Sequence, residues 1–187
     1  MLSIGIRDSS QQIARLLCPA LINCGFGLLY CADERIDIQD GLTEKAAAVI
    51  SGNQLNIVRS RFDIFVLGDS AALNPDSAAA SLVVAPETAD AAIINSFKPK
   101  SVVSYGICGK NTVTVSSLID SNLVISIQRE IVSLSGKRIV EQELKSEIKS
   151  EDDIDPVLAC VSVLLLLDVP IETIEKSDIF PAASRAY

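Results

Sequence analysis

The residues whose types and spacing suit chemistry fall in two glycine loops and at two carboxylates, and each group is incomplete. Gly5-Ile6-Arg7-Asp8-Ser9-Ser10-Gln11 follows an apolar run and precedes a helical pattern, the setting in which backbone N–H groups gather around a phosphate. A working phosphate loop also needs a second glycine, a lysine and a Ser or Thr for magnesium, and only Gly5 and Ser10 fit those needs; an ordinary strand-to-helix turn is the competing reading. Gly106-Ile107-Cys108-Gly109-Lys110-Asn111-Thr112 has the lysine and the threonine, so Gly106, Gly109 and Lys110 are candidate phosphate contacts. The β-branched alternation Thr112-Val113-Thr114-Val115 follows it, however, and predicts a turn between strands with no helix dipole facing an anion. Cys108 beside Lys110 is either an activated thiol or merely an exposed one. Asp69 and Glu87 come after apolar runs expected to be parallel strands, at the edge where open α/β sheets bind ligands. Asp69 is the candidate magnesium ligand, with a turn-starting role as its alternative, and Glu87 either orients a substrate or favours a helix N-terminus.

What is missing narrows the chemistry further. The chain has no histidine, which removes the Ser-His and Cys-His dyads, the imidazole base and most zinc sites together. Its five cysteines form no C-x-x-C pair, and an odd number predicts free thiols in a reducing compartment. A net charge of −8 with scattered basic residues argues against a nucleic-acid partner. The longest apolar run, Val157 to Leu167, is too short to span a bilayer, and Met1-Leu2-Ser3-Ile4-Gly5 enters a strand pattern without a signal-peptide layout, so the expected setting is cytoplasmic, away from the membrane.

The elements that must position these residues follow from hydrophobic period. Residues 1–187 are expected to form one α/β domain, a mostly parallel Rossmann-like or P-loop-like sheet flanked by helices, with a small antiparallel β excursion. Strands are predicted at Leu2–Ile6, Phe26–Cys31, Phe62–Leu67, Ser81–Ala85 and Ser101–Tyr105. Helices are predicted from Ser9 or Ser10 past Leu21 with a break or kink at Pro19, then at Thr43–Ser51, Glu87–Phe97, Pro156–Leu167 and Ile171–Lys176. Short antiparallel strands are expected at Thr112–Ser116, Leu123–Gln128 and Ile131–Leu134, and Glu141 to Asp155 as an acidic approach to the last long helix. That helix is apolar nearly all round, so it is expected inside the domain or in a partner interface.

This order, with a few local phrases, resembles the central ATP-binding domain of the Mur ligase family, enzymes that add amino acids to UDP-muramic acid precursors. Gly5-Ile6-Arg7-Asp8-Ser9-Ser10-Gln11 falls where that family carries G-T-N-G-K-T-T, Val102-Val103-Ser104-Tyr105-Gly106 is similar to its "ITYG" strand end, and Leu158 to Ile174 resembles its "NALAAIAVALELGI" helix and turn. The resemblance places the family's loop lysine on Ser9, its second glycine on Asp8, its magnesium glutamate near Gly68 with Asp69 one place off, and its His-Asn-x-x-Asn near Asp152, Asp153 and Pro156. It thus implies a degenerate nucleotide site, with ATP and magnesium bound only if that site still works, and no other cofactor. The expected function is a non-catalytic binding or regulatory module that self-associates or joins a protein partner, its small-molecule ligand unknown. The alternatives are a nucleotide- or UDP-precursor-binding ligase component working with a partner that supplies the missing charge, and a purely structural subunit.

Overall fold

The computed structural model describes residues 1–32, 35–38, 45–52, 60–68, 78–148, 154–176 and 179. In chain order the elements are β1 (Leu2–Arg7), α1 (Gln12–Asn23), β2 (Gly27–Ala32), β3 (Arg35–Ile38), β4 (Ala46–Ser51), β5 (Ser60–Leu67), β6 (Ala78–Pro86), α2 (Ala91–Ser96) and β7 (Ser101–Gly106). There follow β8 (Val113–Ile119), β9 (Asn122–Ile127), β10 (Ile131–Val132), β11 (Arg138–Ile139), β12 (Gln142–Glu147), α3 (Ile154–Leu166) and α4 (Ile171–Ile174). Ten strands form one sheet in the order β12-β9-β8-β7-β6-β5-β1-β4-β2-β3, while β10 and β11 make a separate hairpin. From β2 to β8 every neighbouring pair is parallel, and antiparallel partners are added at both ends. The expected mostly parallel α/β sheet with an antiparallel excursion is therefore the fold observed.

The sheet is buried on both faces. One face packs under α1 and α3, where Ile4, Ile6, Val49, Ile64, Val66, Val84 and Tyr105 meet Leu17, Leu21, Leu158 and Leu164. The other carries a smaller aromatic cluster of Phe62, Phe65 and Phe97 under α2. Helix α3 is buried from Pro156 through Leu166, so its all-round apolar surface is used within the domain; Ser162, fully inaccessible, donates its hydroxyl to the Leu158 carbonyl at 2.8 Å.

Several sequence expectations are corrected. The predicted helix Thr43–Ser51 is strand β4 over its described part, because the alanines of Ala46-Ala47-Ala48 favour helix in isolation, yet lie between β1 and β2 with both neighbours paired. Small side chains there also let α1 approach the sheet. The helix expected over Glu87–Phe97 is only α2, Ala91–Ser96, started by Asp90, whose carboxylate accepts the Ala92 N–H at 2.7 Å. The acidic approach contains strand β12, whose Leu144 and Ser146 point inward between exposed Glu143, Lys145 and Glu147. Pro19 lies inside α1 without ending it.

Candidate functional site

Strand β1 delivers the chain to the turn Asp8–Gln11 beside Gly68, at the carboxyl end of β5, and α1 starts at Gln12. The turn is closed by Asp8, which is buried. Its Oδ2 accepts the Ile13 N–H at 2.9 Å, and its Oδ1 accepts both the Ser10 N–H at 3.1 Å and the Ser10 hydroxyl at 2.7 Å. The Ser10 hydroxyl in turn accepts the Gln12 N–H at 3.3 Å. Gln11, at the N-cap position, adopts a left-handed φ of 58° and gives no side-chain cap. The donors that a helix start offers to an anion at Gln12 and Ile13 are thus engaged by the protein's own Asp8 and Ser10. Ser9 and Ser10 are exposed on this turn, whereas Gly5 is set back in β1, where a Cβ would come within 2.7 Å of the Phe65 ring.

Gly68 completes the same corner. Its N–H donates to the Arg7 carbonyl at 2.7 Å, and a Cβ built on it would stand 2.7 Å from the Asp8 Cβ. A cleft of about 280 Å³ opens here, bordered by Asp8, Ser10, Gln12, Gly68, Tyr105 and Asp155. The Tyr105 hydroxyl donates to the Leu67 carbonyl at 2.7 Å and holds the β5 and β7 ends together. Burial, and secondarily the charge of Glu87, raises the Asp155 carboxyl above its ordinary range. No lysine or arginine borders the cleft among the described residues.

The second loop repeats the arrangement. It joins parallel strands β7 and β8, as a turn between strands should, and it wraps the carboxylate of Glu87. Glu87 Oε2 accepts the Cys108 N–H at 3.1 Å and the Asn111 side-chain amide at 2.6 Å; the same amide nitrogen donates to the Cys108 carbonyl at 2.9 Å. Gly106 has φ 150°, and a Cβ there would fall 2.8 Å from Glu87 Oε2, which is why the position takes glycine. Gly109 meets open space and Lys110 is exposed. Glu87 therefore serves the loop rather than the start of α2. Asp69 lies outside the described residues, as do Asp152 and Asp153. Among the described residues no group of three carboxylate, cysteine or histidine side chains is arranged to hold a metal ion.

Sequence reasoning missed Asp8 as a ligand of its own turn, and missed Asn111 and Asp155. The spacing Asp8-x-Ser10 ahead of an apolar helical pattern was the available signal, since an Asp two residues before a backbone donor forms a local side-chain turn.

The thiols are graded by their surroundings. Burial, with a smaller contribution from Asp37, pushes Cys18 up to about 12, and burial raises Cys160 well above its ordinary value, while Cys108 stands exposed in its loop. A labelling time course with a thiol reagent on the native protein is expected to modify Cys108 first and to leave Cys18 and Cys160 unmodified until denaturant is added. Native-state modification of Cys160 at the Cys108 rate would contradict the packing of α3 on α1.

The mostly parallel sheet with its flanking helices is an α/β fold like that of the Mur ligase central domain. No protein-family model matches the chain, and no curated protein does. The likeness is to solved structures. The chain aligns with UDP-N-acetylmuramoylalanyl-D-glutamyl-2,6-diaminopimelate–D-alanyl-D-alanyl ligase from Acinetobacter baumannii at TM-score 0.62 and 13% identity, covering 95% of this chain and 46% of that one. It aligns with UDP-N-acetylmuramate:L-alanyl-gamma-D-glutamyl-meso-diaminopimelate ligase from Neisseria meningitides at TM-score 0.62 and 14% identity over 100% of this chain and 66% of that one. E. coli FolC, solved with DHPP and ADP, gives TM-score 0.62 at 11% identity over 97% and 57%. The chain spans about half the length of the ligases it matches, 46% and 47% for two of them. No helix among the described residues is long and apolar enough to cross a membrane.

Proposed function

We propose that the chain is a non-catalytic, Mur-ligase-like binding or regulatory module in a cytoplasmic setting. One observation carries the reading: the Asp8 carboxylate sits at the start of α1, bonded to the Ile13 and Ser10 N–H groups that a phosphate would otherwise engage. The lining of the corner favours this reading, because a triphosphate there would meet the carboxylates of Asp8 and Asp155 and no lysine or arginine among the described residues borders the cleft. The second glycine loop supports the same reading, since Glu87 takes its Cys108 N–H and its Asn111 amide.

A thermal-shift series with ATP, ADP, UDP-sugars and amino acids, each with and without magnesium, tests the proposal alongside an assay for phosphate release. Neither ATP nor ADP is expected to raise the unfolding midpoint, and no magnesium-dependent turnover is expected. A ligand at a hundred times its dissociation constant stabilises by about 2.7 kcal/mol, so a functioning nucleotide site would be plain, and its appearance would sink the proposal. Stabilisation by an amino acid or UDP-sugar alone would identify the ligand class of the module.

A further inference from the structure

We draw no further inference here: the strongest candidate, the cleft between the Asp8–Gln11 turn and the start of α3 that the Asp8 and Asp155 carboxylates border, belongs to the site already described and holds, beyond that acidic pair, nothing among the described residues that points to a ligand.

Discussion

Asp8→Ala is expected to lower stability by about 2 kcal/mol, near the upper end for loss of a helix cap, and so to lower the unfolding midpoint by roughly 4–8 °C for a chain of this size. The carboxylate accepts three hydrogen bonds, from the Ile13 and Ser10 N–H groups and the Ser10 hydroxyl, and it does so while buried at 8% exposure, where water replaces it poorly. Asp8→Asn keeps one oxygen acceptor and loses the charge that favours a helix start, so its midpoint should fall between the two. Differential scanning calorimetry at fixed pH makes the comparison. An Asp8→Ala protein as stable as its parent would mean that the carboxylate does not hold the turn, and the argument for a self-filled anion corner would fail with it.

Gly5→Ala is expected to cost about 1–3 kcal/mol through overpacking rather than through any lost ligand contact. Its Cβ would lie 2.7 and 2.8 Å from two atoms of the Phe65 ring and 3.2 Å from Phe62. The Phe65 ring cannot easily retreat, since its centroid is 5.5 Å from that of Phe62 and 4.4 Å from that of Phe97. Urea titration should show a lower midpoint with an unchanged slope. Phe65→Leu alone should also destabilise, but the double variant is expected to lose less than the sum, because a smaller side chain at 65 makes room for the new methyl. Strict additivity would show that the two positions are not in contact.

Much of the fold was legible because its parallel strands are short continuous apolar runs. Phe62–Leu67 and Ser81–Ala85 needed only to be extended by a few residues at their ends to become β5 and β6. The failures share a cause, in that neighbours rather than local preference decide the outcome. Ala46-Ala47-Ala48 carries a helical preference that pairing on both sides overrides, and β12 holds too few apolar residues for its alternation to stand out among charges. At the candidate site, the absence of a lysine and a second glycine could be read directly. What replaced them could not, because the role of Asp8 depends on the space left by Gly68, a residue sixty positions away in the chain and adjacent only after β1 and β5 pair.

That contact between Asp8 and Gly68 sets the order in which this corner can change. A longer side chain at 68 cannot enter while Asp8 stands there, since even a methyl group would lie 2.7 Å from its Cβ. Asp8, in turn, cannot leave without stripping the helix start of its acceptor. Each single step toward an open anion loop passes through a less stable protein, whereas the present pair is mutually accommodating. The two positions therefore constrain each other: glycine at 68 leaves the room that Asp8 fills, and Asp8 supplies the acceptor that α1 needs.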